Sequence, residues 1–143
     1  MWALFDKFQK KRKLKRLLLE FKEEIKKNLE SYYVMFQLGK LKFFQLEVWQ
    51  KLKNESEAEM SSSILRYAQI LGDYNKVLAD FKNYEQWFAS DINNKTASNA
   101  EVLHEKNSKA KEKFQGLEQI IKSALHDFEI QLLRRKILNN ISS

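Results

Sequence analysis

The chain has 143 residues and a formal net charge of +7, a length suited to one domain that buries roughly 70% of its unfolded surface. It has no cysteine, which excludes disulfides, thiolate catalysis and cysteine-based zinc sites and fits a reducing compartment. Proline is absent too; because proline removes a backbone donor and clashes with the preceding helical turn, its absence favours long helices.

The first element is a basic amphipathic segment, residues 1–16. It holds Lys7, Lys10, Lys11, Arg12, Lys13, Lys15 and Arg16 against Asp6 alone, whereas residues 17–143 hold 19 basic and 18 acidic residues. Nearly all of the charge imbalance therefore lies beside a short apolar run, Met1, Trp2, Leu4, Phe5 and Phe8. On a helical wheel Met1, Leu4, Phe5 and Phe8 share one direction, and Leu14, Leu18, Phe21 and Ile25 point roughly 100–140° away. The apolar turn is thus not a simple extension of the core stripe. Either it packs on something other than the bundle, or the chain bends and caps the bundle end.

The first long helix is predicted over residues 3–53. Leu18, Ile25, Tyr32, Gly39 and Leu46 recur every seven residues, as do Leu14, Phe21, Met35 and Trp49, the latter set interrupted by Asn28 and Lys42. Leu29, Phe36 and Phe43 widen the stripe, which suits a helix packed against two neighbours. Gly39 sits at a core position in this pattern, where it would allow close backbone approach. Leu38, Leu41, Val48 and Leu52 lie off the main stripe and form a second apolar face, expected to meet a helical protein partner or another copy.

Ser56 with Glu59 has the form of a capping box and starts a second helix, 57–90. Its stripe is Met60, Ile64, Tyr67, Leu71, Tyr74, Leu78, Phe81 and Phe88. Residues 91–98, polar and without apolar period, read as a loop. Ser98 with Glu101 repeats the capping form and opens a third helix, 99–139, whose stripe is firm from Phe114 through Leu117, Ile121, Leu125, Phe128 and Leu132. Short connections make neighbours antiparallel, so the expected fold is all-α, an elongated antiparallel three-helix bundle spanning 17–143. The 91–98 loop would then lie near Leu14, and Arg134, Arg135 and Lys136 at the opposite end.

Motifs that carry chemistry are weak. Glu101 and His104 make one Glu-x-x-His unit, where di-iron bundles use two, and His126 has Ser123 in the position where a second Glu is required. No phosphate-cradling glycine loop, helix-turn-helix or aromatic RNA-binding motif occurs. The expectation is a protein that is not an enzyme, needs no cofactor or metal and binds no small-molecule substrate.

The functional expectation rests on residues 1–16. Aromatic residues beside lysines are the composition of interfacial helices on anionic membranes. The same lysines are also an electrostatic footprint for nucleic-acid phosphate, the alternative partner. No segment approaches the roughly 20 apolar residues of a bilayer span. The basic cluster follows the apolar residues rather than preceding them, so no signal peptide is expected. The expected location is intracellular, in solution or at a membrane surface.

Overall fold

The computed structural model describes residues 2–55 and 59–138. Among these the chain is all-helical: α1 (Trp2–Leu38), a short α2 (Glu47–Leu52), α3 (Ser62–Ser90), a 3-10 turn (Ile92–Asn94), α4 (Ala97–Phe114) and α5 (Leu117–Arg134). Met1, Ser56 of the expected capping box and residues 139–143 lie outside the described residues; within them the second helix starts at Ser62 instead of 57 and the third ends at Arg134 instead of 139.

The single helix expected over 3–53 stops at Leu38. Gly39 adopts φ +67°, a left-handed conformation that other residues resist, and its N–H donates to the Met35 carbonyl at 2.8 Å. This is a helix stop of the left-handed type. Gly39 is exposed, and a Cβ built on it would meet nothing within 4 Å. Its role is therefore conformational, and the close approach expected at this position does not exist.

After Gly39 the chain turns back along α1 without regular hydrogen bonding of its own over residues 40–46. Buried main-chain groups must find partners elsewhere, and two asparagine side chains supply them. Asn28 of α1 accepts from the Gln45 N–H (2.9 Å) and donates to the Gln45 carbonyl (2.8 Å). Asn75 of α3 does the same for Phe44, at 2.9 Å in both directions. The Asn28 amide also donates to the Tyr67 hydroxyl at 2.7 Å, and the Tyr74 hydroxyl donates to the Lys42 carbonyl at 2.8 Å. The two residues that interrupt the heptad pattern, Asn28 and Lys42, both belong to this seam.

The return segment ends in α2, whose N-terminus is capped by a side chain distant in sequence. Glu24 accepts from the N–H groups of Val48 (2.9 Å) and Trp49 (3.1 Å), satisfying donors that a helix start leaves without partners. Trp49 then packs on Phe21, with ring centroids 5.5 Å apart. Phe21 also meets Tyr67 at 6.2 Å and Phe128 at 4.9 Å, so α1, α2, α3 and α5 converge on one ring.

This return path changes the topology from the one expected. Asn28 faces Tyr67 and Met35 faces Tyr74, so α3 runs parallel to α1. The downward chain between them is the non-helical segment 40–46 with the short α2, not a long helix. The third helix is also divided. Gly116, at φ +78°, separates α4 from α5, and both run antiparallel to α3, as Lys106–Asp80 (2.6 Å) and Ser63–Asp127 show. The 91–98 loop is confirmed in outline, but Thr96, not Ser98, caps α4 by accepting from the Asn99 N–H at 3.1 Å. Because α3 is parallel to α1, this loop lies at the end away from Leu14.

Two predictions follow from these contacts. Asn28→Ala leaves the Gln45 main chain and the Tyr67 hydroxyl without their buried partner and lowers unfolding free energy by about 3 kcal/mol in urea denaturation. Asn75→Ala costs somewhat less, and the double variant loses less than the sum, because either change already releases the shared segment. The second prediction concerns Glu24, whose carboxyl is raised above 4.5 by burial, against the opposing pull of the Val48 and Trp49 N–H groups. A raised folded value means that its contribution is complete below about 4.5 and fades as pH rises through the folded value. The stability difference between the native protein and Glu24→Gln should therefore shrink or reverse across that window in thermal melts.

Candidate functional site

Residues 2–13 of α1 continue the helix past the packed body. Core burial begins at Leu14, and every residue from Trp2 to Lys13 is exposed. At about 1.5 Å per residue the exposed stretch is roughly 18 Å long. Helix geometry explains where its side chains go. The stripe that buries Leu14, Leu18, Phe21 and Ile25 continues backwards as Lys7, Lys10 and Lys11, at the same three- and four-residue spacing. The stripe thus changes from leucine to lysine at the point where partner helices end.

The aromatic residues project from the remaining face. Trp2 is 82% exposed, Leu4 75%, Phe5 55% and Phe8 58%. These side chains do not cap the bundle, which disposes of the bent alternative raised by the sequence. Arg12 lies over the Phe8 ring, 5.4 Å from its centroid, so the basic collar and the apolar face touch. Lys15 and Arg16, also exposed, close the collar at the edge of the body.

The positive excess along α1 ends near Leu19. A groove of about 630 Å³ lies between α1 and the return segment, lined at one end by Arg12, Lys15 and Arg16 and further along by Glu20, Glu23, Glu24, Lys27 and Glu47. The basic character belongs to one end of the helix, with Leu19 near the boundary.

A second basic cluster joins that end. α5 runs antiparallel to α1, with Lys122 over the Tyr33 ring and Phe128 edge-on to Phe21, while Phe114 at the end of α4 stacks on Tyr32. Continuing this register brings Leu132, fully buried, and the residues after it to the level where α1 leaves the body. Arg134, Arg135 and Lys136 are exposed there, beside the start of α3. The up-down-up bundle expected from the sequence puts them at the opposite end; because α3 runs parallel to α1, α5 brings them here instead. Lys136 has φ +60°, and the bonds Lys136 N–H to Leu133 and Ile137 N–H to Leu132 (both 2.9 Å) close the helix end. This is the double-bonded left-handed helix stop, here with lysine where glycine is usual.

The second apolar face expected on helix 1 does not exist as a face. Leu52 is fully buried in α2 and belongs to the core, Leu41 and Val48 are half-buried against that core, and Leu38 alone is well exposed, at 71%. The break at Gly39 removes the shared helical frame that would have aligned them. The surface apolar residues that the heptad pattern missed include Val34, Phe36 and Phe43, near the chain reversal. The sequence pattern puts Phe36 and Phe43 in the core stripe; Phe36 instead lies exposed on the last turn of α1, and Phe43 lies exposed in the non-helical segment after Gly39.

Glu101 and His104 are exposed near the start of α4, and among the described residues no group of three His, Cys, Asp or Glu side chains could hold a metal. Ser63 donates to Asp127 across α3 and α5, a contact that local sequence could not disclose because 64 positions separate the pair. The adjacent His126 is exposed. Among the described residues no helix is long and apolar enough to cross a membrane. The chain matches no protein-family model, no curated protein and no solved structure.

Proposed function

We propose that this protein is a non-enzymatic helical scaffold that docks on anionic membrane surfaces through the exposed beginning of α1. Trp2, Leu4, Phe5 and Phe8 enter the headgroup boundary, and Lys7, Lys10, Lys11, Arg12, Lys13, Lys15 and Arg16 meet the lipid charge. The observation that carries this reading is the exposure of four large apolar side chains on a regular helix beyond the body, surrounded by basic residues. An exposed Trp or Phe gains nothing from water, whereas each large apolar side chain buried in lipid gains about 2 kcal/mol. Each basic residue at an anionic leaflet adds about 1 kcal/mol. A few of each give reversible attachment, with the folded body held at the surface.

Nucleic-acid phosphate is the competing partner for the same lysines, and it leaves the aromatic face without a role. Co-sedimentation with phosphatidylserine-containing vesicles, run beside duplex DNA and RNA binding across a salt series, separates the two. The membrane reading predicts that Trp2→Ala with Phe5→Ala abolishes vesicle binding, by about 4 kcal/mol. Lys11→Ala alone should weaken it only about fivefold. If Lys11→Ala is the more damaging change and affinity collapses steeply with salt, phosphate is the ligand and the membrane reading fails.

A further inference from the structure

We infer that Arg134 and Lys136, brought beside the α1 collar by the antiparallel register of α5, form a second half of the anionic-membrane contact. The molecule then docks by one end, with the Ile92–Asn94 turn held away from the lipid. This inference rests on the membrane reading above and adds to it a contact that lies more than a hundred residues away in sequence.

Three observations support the end-on arrangement. First, both basic clusters lie at the same end of the fold, since Phe128 meets Phe21 and the packed part of α1 begins at Leu14. Second, the side of α1 beyond Leu19 is close to neutral: exposed Glu20, Glu23 and Glu30 alternate with Lys22, Lys26 and exposed Lys27, whereas residues 2–16 carry seven basic residues against Asp6 alone. Laying α1 flat on an anionic leaflet would bring those carboxylates to the lipid phosphate along with the lysines, for little net attraction. A strong positive excess at the end and near balance along the side favour contact through the end.

Third, Arg134 and Lys136 are held in place by structure. The left-handed stop at Lys136 turns the chain so that Ile137 and Leu138 pack back on the core. The two basic side chains are thereby kept at the helix end, exposed and on a fixed backbone. Charges held on a rigid body bind a charged surface with less ordering cost than charges on a mobile tail.

The test compares two charge reversals of equal size. R134E with K136E alters the basic end, and K95E with K109E alters exposed lysines on the far half of the molecule. Binding is measured to phosphatidylcholine vesicles with and without phosphatidylserine, with thermal melts confirming the fold. The inference predicts a loss of about tenfold or more for R134E/K136E, since each basic residue at the leaflet is worth about fivefold. The neutralised pair R134Q/K136Q should fall between, and it serves in place of the reversal if the acidic pair disturbs the helix stop. K95E/K109E should remain within about twofold of the native protein at moderate salt.

Equal losses for the two reversals would show that only net charge matters and would overturn the end-on contact. An unchanged R134E/K136E beside a non-binding Trp2→Ala/Phe5→Ala variant would overturn it as well, while leaving the α1 reading intact. Loss of duplex DNA binding without loss of vesicle binding would assign the cluster to nucleic acid instead. A native protein that ignores phosphatidylserine vesicles would remove both proposals together.

Discussion

Two asparagine side chains hold this fold in its topology. Asn28 and Asn75 approach residues 44 and 45 from opposite sides, and each satisfies both main-chain groups of one residue. An extended segment between two helices has no ladder of its own, so its N–H and C=O groups would be buried at high cost without such partners. A carboxamide is suited to the task because it carries a donor and an acceptor side by side. Tyr67, Tyr74 and Glu24 extend the same seam, and among the described residues no buried side-chain polar atom lacks a hydrogen-bond partner. The polar network is thus fully satisfied, the condition under which buried polar groups specify a unique arrangement.

The rest of the architecture follows from that seam. Because the chain returns along α1 in extended form, α3 starts near the beginning of the packed part of α1 and runs parallel to it. The hairpin of α3 with α4 and α5 then brings the end of α5 back to the same place. Phe21 marks the meeting point, with rings from α2, α3 and α5 around it. One end of the molecule consequently collects the exposed start of α1, the beginning of α3 and the basic end of α5. The other end carries the Ile92–Asn94 turn and the exposed residues Trp87 and Ile92.

This arrangement converts a modest net charge into a polar object. A protein with 26 basic and 19 acidic residues would present only a weak field if they were evenly mixed. Here the excess is concentrated at one end, next to the exposed aromatic residues, and the neighbouring surface of α1 is close to charge balance. Long-range attraction is set by such local excess rather than by the total. The apolar residues then act only at contact, since their gain depends on removal from water.

Sequence alone determined the helical class, the loop after Ser90, the core stripe of residues such as Phe21, Tyr67 and Phe128, and the separation of the aromatic-basic segment from that stripe. Each of these is a local property: composition and periodicity report which side chains are buried and which are left over. Asn28 was visible as a break in the pattern, and its partners were not, because they lie 17 and 39 positions away. Tertiary structure decided that Gly39 ends a helix instead of lining a contact, that Leu52 is core, and that Arg134 and Lys136 share an end with Trp2. A heptad pattern is the same whether the chain beyond a glycine continues as helix or turns back extended. A continuing helix satisfies its own main-chain groups, whereas the extended path does so through long-range hydrogen bonds to Asn28, Asn75 and Tyr74.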